Sequence, residues 1–137
     1  MSVVEMLAED EHRTPKPDWA VTAAAISRVV AGQSKGLLLE GADDAWMSIS
    51  SAAGFGVQVM AFEDGELAEK VLVDPTVRND STGVVIGELP QEEPRSTLVA
   101  QELAVAAARY FLETGKRSAL LSWRIPYELE REAGRLR

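Results

Sequence analysis

The stretch from residue 96 to residue 123 constrains the fold most, because it joins an amphipathic helix, a glycine stop and a strand that carries a tryptophan. The apolar stripe of the helix recurs at spacings of three and four residues and comprises Val99, Leu103, Ala106, Ala107, Tyr110 and Phe111. Such a stripe packs against a sheet. Ser96 is the predicted N-cap of this helix.

Gly115 is predicted to end the helix, since glycine accepts the left-handed conformation of a helix C-terminus without a Cβ clash. Lys116 and Arg117 follow, where the negative end of the helix dipole favours cations. The next strand alternates, with Ala119, Leu121, Trp123 and Ile125 on one face, and this pattern places Trp123 in the core.

The preceding residues indicate a helix and then a β-meander. Asp18 is the predicted cap of a helix over 19–30, in which Trp19, Ala23, Ile26 and Val30 share a face. Strands are predicted at 36–40, 45–51, 55–61, 67–73 and 84–88, with loops at 9–16, 76–83 and 90–95. Residues 2–7 fit either a short edge strand or a fraying helix, and residues 127–137 fit a polar helical tail.

This element order predicts one α+β domain over residues 1–137, in which an N-terminal and a C-terminal helix pack against a mainly antiparallel, twisted sheet. A chain of 137 residues is long enough for one core. Its N-terminus has no secretory signal pattern and no apolar run reaches the length of a membrane span. We therefore expect no membrane contact and a cytoplasmic location.

Several forms of chemistry are disfavoured. His12 is the only histidine and there is no cysteine, so the usual imidazole-based triads and thiolate metal sites lack their residues. The sequence from Gly115 to Ser118 resembles the end of a phosphate loop, but it leads from helix to strand, and Tyr110 stands where the first glycine belongs. We therefore predict no enzyme, no cofactor and no metal site.

Acidic residues crowd two of the predicted turns. The first turn carries Glu40, Asp43 and Asp44, the third carries Glu63, Asp64 and Glu66, and Lys70 is the only nearby offset in sequence. Alternate turns of a meander emerge at the same end, so these carboxylates are predicted to form one rim, with Trp46 and Phe62 as candidate aromatic anchors. The alternative is that they are solvated turns and core aromatics.

Charge favours a basic protein as the partner. Residues 1–115 hold 19 acidic and 8 basic side chains, and residues 116–137 hold 3 acidic and 6 basic ones. An acidic body disfavours direct nucleic-acid binding, which draws its free energy from cationic side chains. Complementary charge instead accelerates association with a basic partner. The plainer interpretation is that an acidic surface keeps the protein soluble.

A further pattern links the two halves of the C-terminal block. It comprises a Leu89-Pro90 step, the alanine-rich segment 104–108, residues 110–115 with their Thr-Gly ending, Arg117, and a short strand over 120–123 that closes on tryptophan. This pattern resembles the C-terminal signature of immunity protein family one of bacterial polymorphic toxin systems.

The resemblance implies a protein that neutralises a cognate toxin without catalysis. Toxins paired with such proteins are often nucleic-acid-directed enzymes with cationic clefts, which an acidic rim would occupy. Two alternatives remain open: a small ligand-binding or enzymatic domain with an apolar pocket between sheet and helix, and a secretion or assembly chaperone that uses the alanine-rich helix as its contact. The sequence does not indicate an oligomeric state.

Overall fold

The computed structural model describes residues 3–8 and 12–132 and shows one α+β domain with a nine-stranded antiparallel sheet. In chain order the elements are β1 (Val3–Ala8), β2 (Arg13–Pro15), α1 (Trp19–Val30), β3 (Gly36–Gly41), β4 (Trp46–Ala52), β5 (Gly56–Phe62), β6 (Lys70–Val73), β7 (Ser81–Ile86), β8 (Leu89–Pro94), α2 (Gln101–Thr114), β9 (Ser122–Arg124) and α3 (Pro126–Glu132). The predicted fold class is therefore confirmed.

Strand order in the main sheet is β2-β1-β3-β4-β5-β6-β9, and the β7-β8 hairpin joins it through β4. The meander β3-β4-β5-β6 agrees with the sequence prediction. The first strand does not lie at an edge as predicted, because β2 pairs with its outer side, and residues 13–15 are a strand instead of a loop. The predicted strand over 67–73 is shorter, since β6 starts at Lys70 and Leu67 is fully exposed.

Both long helices cover one face of β3, β4 and β5. Alternate strand residues such as Leu39, Met47 and Val59 are fully buried beneath Ile26 of α1 and Phe111 of α2. Small side chains on α2 leave room for this packing, because Ala104, Ala107, Ala108, Phe111 and Leu112 form its buried stripe. The predicted stripe was rotated, since Ala106 and Tyr110 are exposed.

The helix α1 begins and ends as predicted. The Asp18 carboxylate accepts a hydrogen bond from the Val21 amide at 2.9 Å, which satisfies one of the free N–H groups at the helix start. Its buried face consists of Thr22, Ala25, Ile26 and Val29, while Ala23 is only half-buried. The buried face of α1 is therefore rotated by a fraction of a turn from the predicted face.

The start of α2 differs from the prediction. Ser96 lies in a 3₁₀ turn over Arg95–Thr97, where its hydroxyl donates to the Asn79 side chain at 2.8 Å, and the true N-cap, Ala100, provides no side-chain bond. Val99 delays the helix because it exchanges two backbone hydrogen bonds with Val57, at 3.0 and 2.7 Å.

That bridge requires a glycine in the neighbouring strand. Gly56 has a φ of +102°, and a Cβ at this position would lie 2.2 Å from the Val99 carbonyl oxygen. This close backbone approach ties β5 to the segment that leads into α2.

Residues 81–94 form a hairpin where the sequence predicted a strand over 84–88 and a loop over 90–95. Proline is unfavourable in a central strand, but β8 is an edge strand, which tolerates Pro90 and Pro94 although they have no N–H group. On the inner side of this hairpin, the buried Gln58 side chain donates to Glu93 at 2.9 Å.

The C-terminal segment adds β9 and a short helix. Trp123 is half-buried against the core, and its indole N–H donates to the Ser118 carbonyl at 3.1 Å. Ile125 is exposed, in contrast to the predicted alternation, and Pro126 starts α3. A helix is present as predicted for the tail, although residues 133–137 lie outside the described residues. No helix in the described part of the chain has the length and apolar character to cross a bilayer.

Candidate functional site

The two acidic turns meet at one end of the sheet. Glu40 of β3 pairs with Trp46 of β4, which in turn pairs with Phe62 of β5, so the turn 41–45 and the turn 63–69 leave the sheet on the same side. We call this region the acidic end. A surface groove of about 420 Å³ lies between the turns and the C-terminus of α2, lined by Ala42, Asp43, Ala45, Glu63, Asp64, Thr114, Gly115 and Lys116.

The first turn presents carboxylates to solvent. It is closed by a backbone hydrogen bond from Gly41 N–H to the Ala45 carbonyl at 2.8 Å, and Asp43 takes a left-handed φ of +58°. Aspartate tolerates this conformation better than most residues. Asp43 and Asp44 are exposed, and neither side chain has a hydrogen-bond or ion-pair partner within residues 3–8 and 12–132.

The second of the two acidic turns, residues 63–69, is organised differently. Arg117, just after α2, donates from its guanidinium to the Glu66 carboxylate at 2.7 Å and to the Ala61 carbonyl at 3.1 Å, and a second nitrogen also bonds Glu66. The Arg117 amide donates to Glu63 at 3.0 Å. The guanidinium carbon lies 5.9 Å from the centroid of the Trp123 ring. We call this group the internal arginine site.

This ion pair is largely removed from solvent. The Arg117 side chain is 8% exposed and that of Glu66 is 22% exposed. Hydrogen bonds from Arg117 lower the pKa of the Glu66 carboxyl to about 2, and a bond from the Glu63 amide adds to this effect against the opposing cost of burial. Glu66 therefore remains ionised and paired with Arg117.

The expectation that only Lys70 offsets the acidic turns is wrong. Glu66 and Glu63 contact Arg117, so they stabilise the turn and part of their charge is compensated within the fold. Glu66 and Arg117 are 51 positions apart in sequence, and no local pattern links them. In the sequence, Arg117 was singled out by its position just after the Thr-Gly ending of α2, but this position does not identify Glu66 as its partner.

Trp46 and Phe62 lie on the sheet face opposite the two long helices, which we call the outer face. Their neighbours in sequence, Met47 and Ala61, are fully buried under the helices, so the two aromatic rings point the other way. The rings are nearly parallel, with an interplanar angle of 11° and centroids 6.2 Å apart. Both are half-buried, so the interpretation of these residues as core aromatics does not hold.

The outer face continues from Trp46 onto β3 and β1. Glu40 stands beside Trp46, Leu38 occupies the next outward position of β3, and Leu7 of β1 pairs with Leu38. On the other flank, α3 covers β6 by packing Leu129 on Val71 and Val73. The uncovered part of the outer face is therefore a half-buried strip of apolar side chains with the polar Glu40 and Ser48 among them, and it reaches the acidic end.

Among residues 3–8 and 12–132, Glu40 forms a weak ion pair with Arg13. The Arg13 guanidinium bonds Glu5 and lies 3.6 Å from Glu40, and the Arg13 and Glu40 side chains are 57% and 43% exposed. Ion pairs this exposed contribute little to stability. Of the seven predicted site residues, Glu40, Asp43, Asp44, Trp46 and Asp64 are thus placed at an accessible surface, while Glu63 and Glu66 belong to the internal arginine site.

The space between sheet and helices is filled. Twenty buried side chains form one cluster there, and the larger grooves have exposed residues in their linings. Within residues 3–8 and 12–132, no group of three or more histidine, aspartate and glutamate residues is arranged to hold a metal ion. Nothing in this arrangement favours the alternative of an apolar pocket between sheet and helix.

The chain was compared with known proteins by sequence family, by curated sequence and by solved structure. No protein-family model matches it, and neither a curated protein nor a solved structure does. The resemblance to immunity protein family one therefore stays a hypothesis that rests on the residues named above.

Proposed function

We propose that this protein is an immunity protein, which binds a cognate toxin and neutralises it by occluding the active site or substrate cleft, without catalysis of its own. One observation carries the proposal: three exposed carboxylates, those of Asp43, Asp44 and Asp64, lie in the two turns at the end of the sheet where β4 begins with the half-buried Trp46. Fixed charge of one sign next to an aromatic anchor is a common composition for a binding surface.

The expected partner is a protein with a cationic cleft. Residues 1–115 carry 19 acidic and 8 basic side chains, so the body of the protein attracts positively charged surfaces. An enzyme that acts on nucleic acid has such a cleft, because it must bind phosphates. The acidic end would occupy that cleft in place of the phosphates, in the cytoplasm of the cell that requires protection.

Rigidity of the acidic end supports this role. The turn 41–45 is closed by its own backbone hydrogen bond, and the turn 63–69 is fixed to α2 through Arg117. Turn backbones held in place lose little conformational entropy on binding, which leaves more of the interaction energy for affinity. A decoy for phosphate benefits from this preorganisation.

The direct test combines capture from the native host with a neutralisation assay. Tagged protein should retain a toxin-like polypeptide at low salt and release much of it as salt rises, because charge pairs at an interface are screened. Expression of that polypeptide alone should arrest growth, and co-expression of this protein should restore it. Failure to capture any polypeptide at low salt, or capture without restored growth, would contradict the proposal.

A further inference from the structure

We infer that Trp46 and Glu40 together form a subsite for an arginine side chain of the protein partner. The inference rests on the proposed function, since it names the chemistry by which the partner is recognised at the acidic end. A planar guanidinium would lie against the indole ring and pair with the carboxylate beside it.

The position of Phe62 determines on which side of Trp46 the guanidinium would lie. Phe62 occupies the β5 side, and a centroid distance of 6.2 Å leaves no room for a third planar group between the rings. The β3 side of Trp46 carries Glu40, its direct cross-strand neighbour. Directly opposite side chains on one sheet face are about 5 Å apart at Cβ, which is within reach of one guanidinium from both groups.

The internal arginine site shows the same combination in completed form. There Arg117 lies over Trp123 and bonds the carboxylate of Glu66. Three further arginines lie over aromatic rings in this chain, on Phe55, Trp19 and Tyr127. In the part of the chain that the structure describes, no guanidinium lies over Trp46, although Glu40 is its cross-strand neighbour.

Charge and burial favour arginine over an uncharged occupant. The exposed carboxylates of Asp43, Asp44 and Asp64 add negative potential at the same end of the sheet. Arginine is also less strongly hydrated than lysine and stacks on aromatic rings, so a half-buried indole discriminates between the two cations. Without this subsite, the acidic end would bind arginine and lysine side chains equally, because both carry one positive charge.

The test compares two capped peptides, hexaarginine and hexalysine, by titration calorimetry at low salt with the full-length protein. We expect the arginine peptide to bind about threefold to fivefold more tightly, as exposed cation-π contacts allow. The preference should fall to near one in Trp46→Leu and persist in part in Trp46→Phe. The matched control is Tyr127→Leu, which removes an exposed aromatic from α3 and should leave the preference unchanged.

Equal affinity for the two peptides, or an unchanged preference in Trp46→Leu, would overturn the inference. Thermal unfolding of each variant ensures that a lost preference is not caused by lost structure. The proposed function fails separately: if both peptides bind equally but a cognate toxin is still neutralised, only the arginine subsite is wrong. If the arginine preference is present and no toxin is captured, the subsite stands and the immunity role falls.

Discussion

Two groups at the acidic end each combine a tryptophan with glutamate, but only one of them contains a buried arginine. The internal arginine site joins Trp123, Glu66 and Glu63 through Arg117, whose side chain is 8% exposed. The outer face joins Trp46, Phe62 and Glu40, and its nearest cation is the exposed Arg13, 3.6 Å from Glu40. One set of carboxylates is neutralised within the fold, while the other remains accessible to a partner.

This difference separates stability from binding. Removal of a cation from a largely buried pair leaves a carboxylate without compensation, which is costly, whereas an exposed carboxylate is solvated with or without a neighbour. Acidic residues that are adjacent in sequence therefore have unlike roles: Glu63 and Glu66 hold the second turn, and Asp64 between them is exposed.

The largest effect should come from Arg117→Met. It leaves Glu66 partly buried without its cation, so we expect the free energy of unfolding to fall by about 2–4 kcal/mol, near the lower part of the range for buried pairs because Glu66 is at the rim. Urea unfolding monitored by circular dichroism measures this. Arg13→Met is the matched control and should change stability by less than about 1 kcal/mol.

The double variant Arg117→Met, Glu66→Gln makes the comparison sharper. It removes both charges, so part of the lost stability should return relative to Arg117→Met alone, because the uncompensated carboxylate is gone. If Arg117→Met costs no more than Arg13→Met, then the two groups do not differ in the way described.

The second prediction concerns pH. The folded-state pKa of Glu66 is lowered from 4.5 to about 2, so its ionised form stabilises the fold above the unfolded pKa, and this contribution is lost as pH falls from about 5 towards about 2. A shift of this size corresponds to just over 3 kcal/mol at neutral pH, and solvent screening of the partly exposed Glu66 carboxylate reduces this contribution to about 2–3 kcal/mol. Urea unfolding at several pH values in this range should show that the free energy of unfolding falls less steeply with pH in Glu66→Gln than in the native chain. Arg117→Met should show the same weaker dependence on pH. If the free energy of unfolding in either variant fell with pH as steeply as in the native chain, the Glu66–Arg117 pair would not be the cause of the pH dependence.

The sequence predicted what depends on neighbours along the chain. The Asp18 cap, the end of α2 at Gly115 and the alternation of β4 and β5 all follow from residues within a few positions of one another. The placement of both acidic turns at one end follows as well, since it requires only the alternation of a meander.

Contacts between distant segments were not predictable in this way. The start of α2 moved because Val99 pairs with Val57, and β8 formed despite Pro90 and Pro94 because it lies at an edge. The role of Arg117 depends on Glu66, 51 positions away. Each of these results from tertiary packing, which local propensity does not encode.

The third prediction addresses the accessible half of the acidic end. The triple variant Asp43→Asn, Asp44→Asn, Asp64→Asn should slow association with a cationic partner about tenfold at low salt, because these charges steer the encounter. Stopped-flow kinetics with the captured toxin, or calorimetry with hexalysine, measures this. Its free energy of unfolding should stay within about 1 kcal/mol of that of the native chain, since exposed charges contribute little to stability.

The matched control is the triple variant Glu88→Gln, Glu92→Gln, Glu102→Gln, which removes the same charge from exposed positions outside the acidic end. If the two triple variants slow association equally, net charge alone attracts the partner and the acidic end has no special role.

The smallest expected effect is also the most specific to the outer face. Arg13 holds Glu5 and lies beside Glu40, so it competes with any arginine that a partner brings to Trp46. Arg13→Gln should therefore strengthen binding of hexaarginine, by about twofold to threefold, which corresponds to the fraction of a kcal/mol that an exposed ion pair provides. Lys35→Gln removes an equal charge near Glu88, far from Trp46 along β3, and should give the smaller gain that net charge alone produces. Equal gains in the two variants would show that Glu40 is not part of the subsite, because Arg13, unlike Lys35, lies 3.6 Å from Glu40.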